Sequence, residues 1–215
     1  TIEQRYGKKP VRHLLDLGVL DKDTVAVHCN WLSSDDIDVF AALDVKVSHN
    51  PASSMKLAAG VAPVPQMLDR GITTGLGTDG AASNNTLDMF QEMNLAAKIH
   101  KAVSLDPTVM NAATVIRMAT IDGARVLGLE GLTGSIETGK LADIIIVDMN
   151  QPHLTPLYNP YSQLVYAARG ADVKTSIING KIVMENRRLL TMDPAQAIRN
   201  VRKIAARIAP EPTPR

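Results

Sequence analysis

The chain has 215 residues, of which 45% are hydrophobic and 21% are charged, and its formal net charge is +1. A nearly neutral chain with 3% aromatic residues lacks the basic, ring-rich surface of nucleic-acid binding proteins, so a nucleic-acid partner is not expected. The single cysteine, Cys29, excludes an intrachain disulfide, and the apolar runs are too short to cross a bilayer, which predicts a cytoplasmic protein with no membrane partner.

The first 130 residues alternate between strand-like and helical patterns. Runs of β-branched and apolar residues predict three strands, of which the first is expected to be buried: 24–29, 45–48 and 72–76. Apolar residues at helical spacing predict helices at 11–18, after the capping signature 33–36, and at 63–70, 87–100 and 109–127. Strands that alternate with helices through short connections predict a parallel sheet, and these units fit part of a (β/α) barrel.

Beyond Gly128 the pattern changes to that of a small antiparallel module. Strand-like runs occur at 144–148, 164–168, 175–178 and 181–184. Asn179-Gly180 joins the last two runs and is the strongest two-residue signal for a β-hairpin. Asp193-Pro194 then predicts the start of a terminal helix, and the tail at 210–215 is expected to be frayed.

Polar residues follow the three predicted strands at the same relative place. His28 follows the first strand, His49 and Asn50 with nearby Ser53 follow the second, and Asp79 follows the third. Because the carboxyl ends of parallel strands open on one face of a barrel, these side chains are expected to converge. One histidine after a strand is more often structural than functional, whereas three polar strand ends in register favour a functional site.

The chemistry of these side chains suggests their roles. Asp79 is predicted to bind a divalent metal ion and to take a proton from the metal's water, which would make it both a metal ligand and a catalytic residue. The alternative is that its carboxylate only stabilises the Asp-Gly turn. His28 is predicted to be a catalytic and substrate-binding residue that hydrogen-bonds the attacking hydroxide or the substrate. Asn50 and Ser53 offer neutral hydrogen bonds for orienting a polar substrate beside Asp79.

Three neighbouring polar positions are expected to have structural roles. His49 immediately precedes Asn-Pro, so its side chain is expected to point away from the pocket and to anchor the loop. Asn84 and Asn85 are expected to cap the helix that starts near Leu87. His100 follows no strand and is expected to be a surface or packing residue.

Five stretches of the chain carry a resemblance to a known family. They are 27–29, 48–57, 76–85, 119–124 and 134–143. Together they resemble the amidohydrolase superfamily, in the branch that contains 5-methylthioadenosine/S-adenosylhomocysteine deaminases and triazine chlorohydrolases. The resemblance implies an α/β fold: the C-terminal part of a (β/α)₈ TIM-like barrel, with strands six to eight, at 1–130, the C-terminal strands of a small β-sandwich at 131–190, and a C-terminal helix and tail at 191–215.

The resemblance also implies roles for individual residues. Asp79 is similar to the metal-binding aspartate at the end of the eighth barrel strand, and His28 to the histidine of the sixth strand that contacts the attacking hydroxide or the substrate. Asn50 and Ser53 lie in a segment similar to the one that borders the substrate pocket after the seventh strand. The implied cofactor is one divalent metal ion per site, with zinc expected and iron as the alternative.

The sequence departs from this family by lacking two of its motifs. The family's His-x-His pair and its His-x-x-Glu are both absent from the 215 residues, so the chain is expected to begin shortly past the missing glutamate and to be inactive alone. The implied parent is a hydrolytic deaminase of adenine nucleoside-like substrates. The alternatives are a chlorohydrolase, a guanine- or cytosine-type deaminase, or a non-catalytic fragment held by self-association. The expected partners are a small-molecule substrate and either the missing N-terminal half or another copy, in a homo-oligomer.

Overall fold

The computed structural model describes residues 1–208, which divide into two compact units. The first unit comprises Thr1–Lys140 and Met149–Asp172, and the second comprises Leu141–Asp148 and the described chain from Val173 onward. All of the predicted site residues belong to the first unit. Among residues 1–208, no helix has both the length and the apolar character needed to cross a membrane.

The first unit is built around a parallel sheet of three strands. Its strands are β1 (Val25–Val27), β2 (Lys46–His49) and β3 (Thr74–Leu76). They lie in the order β1-β2-β3, which confirms the parallel arrangement predicted from strand–helix alternation. The register pairs Val27 with Ser48 and His49 with Leu76, so all three carboxyl ends lie at one edge of the sheet. The loops that follow the strands therefore emerge side by side.

Helices and short turns connect these strands and cover the sheet. The helices of this unit are α1 (Ile2–Tyr6), α2 (Pro10–Asp16), α3 (Ser34–Ala42), α4 (Pro51–Lys56), α5 (Val64–Asp69), α6 (Ala81–Asn84), α7 (Met89–Ser104), α8 (Ala112–Ala119), α9 (Ile121–Val126) and α10 (Pro160–Tyr166), with 3₁₀ turns at Pro152–Leu154 and Gly170–Asp172. The predicted capping signature starts α3: Ser33 N donates to the Asp36 carboxylate at 2.9 Å, and Asp36 N donates to Ser33 Oγ at 3.3 Å. Local sequence therefore fixes the start of this helix.

The core of the unit lies between the sheet and helices α8 and α9. Val47 of the central strand and Val115 and Met118 of α8 are fully buried, and each such side chain stabilises the fold by roughly 1.5–3 kcal/mol. A Cβ atom on Gly75 of β3 would lie 2.9 Å from the Cα atom of Gly123 in α9. Glycine at both positions therefore lets the helix backbone pack directly on the strand.

The first strand is less buried than the sequence predicts. Val25 and Val27 are 39% and 51% exposed, although the apolar run at 24–29 predicts a buried strand. Within the described residues, β1 lies at an edge of the sheet and pairs only with β2. The prediction of a buried strand is therefore wrong for this structure, because β1 has a neighbour on one side only.

Two secondary-structure predictions need correction. The pattern at 109–127 predicts one continuous helical stretch, but the chain forms α8 and α9, which separate at Thr120 (φ −128°, ψ −101°). The run at 164–168 predicts a strand, which is wrong because most of it belongs to α10. Asn159 Oδ1 accepts a backbone hydrogen bond at 3.1 Å, and Pro160 occupies the first helical position. An N-cap followed by proline starts a helix here despite the β-branched residue within it.

An antiparallel sheet of four strands forms the second unit. Its elements are β4 (Ile144–Val147), β5 (Val173–Ile178), β6 (Lys181–Glu185), β7 (Arg188–Leu189) and α11 (Pro194–Ile208). Asn179 (φ 47°) and Gly180 (φ 74°) both have left-handed backbones, which confirms the predicted two-residue hairpin turn. Asp193 Oδ1 accepts a backbone hydrogen bond at 2.8 Å and starts α11 where predicted. The tail at 210–215 lies outside the described residues.

Candidate active site

Three of the predicted site residues meet at the carboxyl edge of the parallel sheet. Asp79 follows β3, and its Oδ2 accepts a hydrogen bond at 2.6 Å from the Oγ of Ser53, which lies in α4 after β2. His28 follows β1, and its Nε2 lies 3.8 Å from the same oxygen. Since these residues are 25 or more positions apart in the sequence, the parallel strands bring them together.

The backbone is left-handed at both candidate catalytic positions. His28 has φ 70°, Cys29 next to it has φ 56°, and Asp79 has φ 58°. Non-glycine residues rarely adopt this conformation, at a cost of about 1–3 kcal/mol each, and such residues cluster at functional sites. The left-handed backbone at the ends of β1 and β3 therefore supports a functional role for His28 and Asp79.

Hydrogen bonds keep the carboxylate of Asp79 ionised. Besides the bond from Ser53, Gly80 N donates to Oδ1 at 2.7 Å. The hydrogen bond from Ser53, followed by those from Ser83 and Gly80, lowers the pKa of Asp79 to about 2. A carboxylate with so low a pKa is a weak proton acceptor at neutral pH but a good ligand for a cation.

Asn50 is buried at the end of the central strand. Its Oδ1 accepts a hydrogen bond from Ser48 Oγ at 3.0 Å. A Cβ atom on Gly77, which directly follows β3, would lie 2.7 Å from the same oxygen, so only glycine leaves room for the amide. Asn50 therefore fits tightly between the ends of β2 and β3, and its predicted role in substrate binding stays a prediction.

His49 ends β2 and contacts His100 of α7. Its Nε2 lies 3.1 Å from Nε2 of His100, and the two residues are 1% and 2% exposed. Burial lowers the pKa of His49 to about 3 and that of His100 to about 4, so both rings are neutral. His100 is thus a buried partner of His49 and connects the end of β2 to α7.

Two buried polar residues near the site were not predicted from the sequence. Asn84 does not cap α7, because Asp88 does so by accepting a hydrogen bond from Phe90 N at 2.9 Å. Instead Asn84 is buried, and its Nδ2 donates at 2.7 Å to Thr78 O and at 2.7 Å to Glu92 Oε1. The prediction for Asn84 is therefore wrong, because the chain first forms the short helix α6 and turns again before α7.

The prediction that Asn85 caps α7 is wrong as well. The second unpredicted residue, Glu92, could have been identified from its place in the helical pattern. Asn85 ends α6 with φ 72° and does not cap α7. Glu92 lies four and eight residues before Ala96 and His100, so all three share one face of α7. A carboxylate on the buried face of an amphipathic helix is the feature that could have identified it.

The described residues supply only part of a metal site. Among residues 1–208, no three histidine, cysteine, aspartate or glutamate side chains are grouped so that they could hold a metal ion. Asp79 offers an ionised oxygen that suits a divalent cation, whereas a catalytic zinc ion usually has three protein ligands. Asp79 therefore fits the role of one ligand, and the described chain does not hold a complete ligand set.

Residues 2–183 match the amidohydrolase family. The chain belongs to that family. It is similar to the 5-methylthioadenosine/S-adenosylhomocysteine deaminase of Syntrophobacter fumaroxidans, with 54% identity over 206 residues that cover 96% of this chain and 47% of the relative. It is also similar to the 5'-deoxyadenosine deaminase of Methanosarcina acetivorans, with 49% identity over 95% of this chain and 47% of the relative.

A solved structure agrees with this membership. An adenosine deaminase from Xanthomonas campestris, crystallised with bound zinc, superposes with a TM-score of 0.94 at 40% sequence identity. The match covers 96% of this chain and 47% of that protein. The described chain therefore has the mixed α/β fold of amidohydrolases and spans about half the length of the relatives it matches.

Proposed function

We propose that this chain is part of a metal-dependent hydrolytic deaminase that acts on adenine nucleoside-like substrates of the methylthioadenosine and S-adenosylhomocysteine type and releases ammonia. The observation that carries the proposal is the cluster of His28, Ser53 and Asp79 at the ends of adjacent parallel strands. The 54% identity to a deaminase over nearly the whole chain supports the substrate class.

The proposal includes a specific place for each part of the chain. Strands β1 to β3 would be strands six to eight of a (β/α)₈ barrel within 1–130, residues 131–190 would belong to a β-sandwich, and 191–215 would form a terminal helix and tail. The parallel order of β1, β2 and β3 supports the barrel assignment. The unpaired edge of β1 in the described sheet, together with its exposed residues Val25 and Val27, supports a further strand or partner at that edge.

Asp79 is the residue of this chain that would hold the metal ion, which we propose to be zinc, with iron as the alternative. A bound divalent ion would supply Lewis acidity that makes water a nucleophile at neutral pH. Ser53 keeps one Asp79 oxygen oriented and lowers the pKa of the carboxylate. Asp79 is better suited to bind the ion than to move a proton, and its proposed role as proton shuttle depends on a bound cation and substrate.

His28 and Asn50 would act on the substrate side of the site. The partly exposed His28 ring lies 3.8 Å from the Asp79 carboxylate, so it can hydrogen-bond a group that binds beside the two. Such a contact would stabilise charge that develops on the reacting atom. Asn50 and Ser53 would border the pocket and orient the polar edge of the substrate.

A non-catalytic fragment that self-associates is the second candidate function. The lack of a grouped set of three possible metal ligands within residues 1–208 and the unpaired edge of β1 in the described sheet favour it. The proposed partners therefore remain the N-terminal half of a longer polypeptide or another copy of this chain, in a homo-oligomer. A cytoplasmic location also remains a prediction.

An intact-mass measurement of the purified material, combined with metal analysis and an ammonia-release assay, tests the proposal. The substrates are S-adenosylhomocysteine, methylthioadenosine and 5'-deoxyadenosine, with guanine, cytosine and a chlorotriazine as comparison compounds. We expect a companion polypeptide, about one zinc ion per site and ammonia release from the adenine compounds. Turnover of only the comparison compounds would contradict the substrate class, and a folded, metal-free, self-associated chain would favour the non-catalytic fragment.

A further inference from the structure

Glu92 is a buried carboxylate that the proposed chemistry does not use. It lies in the first turn of α7 and is 0% exposed. A buried carboxylate is unfavourable unless other groups satisfy its oxygens. Among residues 1–208, the hydrogen bonds of Glu92 come from two neutral donors: Ala52 N donates to Oε2 at 3.1 Å, and Asn84 Nδ2 donates to Oε1 at 2.7 Å.

The two donors belong to the two loops that carry the candidate site. Ala52 immediately precedes Ser53 in α4. Asn84 also donates to the carbonyl oxygen of Thr78 at 2.7 Å, and Thr78 immediately precedes Asp79. Glu92 therefore connects, through buried hydrogen bonds, the same two segments that the Ser53–Asp79 hydrogen bond connects in the candidate site.

We propose that Glu92 is a positioning residue that sets the separation of Ser53 from Asp79 and thereby the orientation of the Asp79 carboxylate. The catalytic consequence rests on the proposed function, whereas the structural connection does not. A carboxylate suits this place, because each of its oxygens accepts a hydrogen bond from an N–H donor. Lys56 also links the loops by donating to Ala82 O at 2.9 Å, but this contact is exposed and constrains the loops less.

Glu92→Gln tests the proposal because glutamine has one oxygen where glutamate has two. In either orientation of its amide, one N–H group of residue 92 would face the N–H of Ala52 or the amide of Asn84. Asn94→Ala is the matched control: Asn94 lies on the same helix but donates to Val165 O and Tyr166 O, at 3.2 and 3.1 Å, away from the site. Both variants remove polar contacts of α7, and only Glu92→Gln affects the two loops.

Hydrogen–deuterium exchange of the full chain, in the assembly in which it is purified, gives a readout that does not need activity. For Glu92→Gln we expect faster exchange at 51–57 and 78–86, with the strands and α10 unchanged. Asn94→Ala should instead affect only α10. Unchanged protection of both loops in a folded Glu92→Gln protein, or the same pattern in both variants, would overturn the proposal.

Kinetics of the assembled enzyme add a second readout. Because a misplaced group can slow a reaction about 100-fold, kcat for ammonia release should fall 10- to 100-fold in Glu92→Gln with little change in KM. Asn94→Ala should leave both constants near those of the unsubstituted protein. A wild-type protein without ammonia release would contradict the proposed function, and the exchange pattern would still decide the role of Glu92.

A second variant covers the case in which Glu92→Gln does not fold. Asn84→Ala removes the link to Thr78 and leaves Ala52 N bonded to Glu92, so faster exchange is expected at 78–86 but not at 51–57. Equal exchange in both segments, or no change in either, would contradict the proposed connection of the two loops through Glu92 and Asn84.

Discussion

The two sides of the candidate site are held in place very differently. On one side, Ser53 and Asp79 are hydrogen-bonded to each other, and their loops are connected through Glu92 and Asn84 to α7. On the other side, His28 follows an edge strand, and its backbone N–H donates to Ser48 O at 3.0 Å. The chain thus fixes the Ser53–Asp79 side with several buried contacts, whereas the His28 side is held by one strand pairing and by a hydrogen bond from Ser54 Oγ to Asn30 Oδ1 at 3.2 Å.

The backbone conformations add to this difference. Asp79 and His28 are both left-handed, but the conformation of Asp79 is accompanied by hydrogen bonds from Ser53 and Gly80 to its carboxylate. His28 is followed by a second left-handed residue, Cys29, at the end of a strand whose valines are exposed. Removing a buried hydrogen bond on the Ser53–Asp79 side should therefore cost more stability than replacing the His28 side chain.

Asp79→Asn should have the largest effect, mainly on activity. The variant loses the anionic oxygen, so ammonia release by the assembled enzyme should fall on the order of 10³-fold or more. The amide oxygen can still accept the hydrogen bond from Gly80 N and the amide N–H can donate to Ser53 Oγ, so the thermal unfolding midpoint should change much less than the activity. If the variant unfolds while activity per folded molecule stays the same, the carboxylate only stabilises the turn.

Acid should lower the free energy of unfolding through the buried pair His49 and His100, which connects β2 to α7. Burial holds their pKa values at about 3 and about 4, below the ordinary 6.5, so as pH falls below 6.5 the unfolded chain takes up protons first. The free energy of unfolding should be unaffected by the pair above that pH and should fall below it by about 1.4 kcal/mol per pH unit for each imidazole.

Urea unfolding measured from neutral pH down to about pH 4.5 checks this expectation. His100→Leu removes one titrating ring and should reduce the slope, and His13→Gln, at a partly exposed histidine of α2, is the control. A slope as steep in His100→Leu as in the unsubstituted chain would show that other groups cause the acid sensitivity.

The same contrast explains how much the sequence alone predicts. Strand–helix alternation predicts the parallel sheet, and strand ends in register predict that His28, Ser53 and Asp79 approach one another. The partners of Glu92 could not be predicted, because one is a backbone N–H forty residues earlier in the chain, at Ala52. The exposure of β1 could not be predicted either, because burial of a strand depends on neighbours that its own sequence does not specify.

Gly77→Ala should lower the stability moderately, because it disturbs the packing between the ends of β2 and β3. The added Cβ atom would lie 2.7 Å from Asn50 Oδ1 and 2.9 Å from Ser48 Oγ, so Asn50 must move. Overpacking of this kind costs about 1–3 kcal/mol of stability. Gly131→Ala is the control, since nothing lies within 4 Å of the added atom, and its unfolding free energy should change little or rise. Equal stabilities of the two variants would contradict the tight fit of Asn50.

His28→Asn should have the smallest effect on stability and separates the two sides most directly. Asparagine tolerates a left-handed backbone, and the His28 side chain is partly exposed, so the unfolding free energy should change by less than about 0.5 kcal/mol. Ser53→Ala on the opposite side removes a buried hydroxyl that donates to a carboxylate, and should cost about 1.5–3 kcal/mol. It should also raise the pKa of Asp79, because the Ser53 hydrogen bond is the main cause of its low value. Chemical denaturation and an NMR titration of Asp79 measure both effects, and a His28→Asn loss as large as that of Ser53→Ala would mean that the two sides are anchored equally.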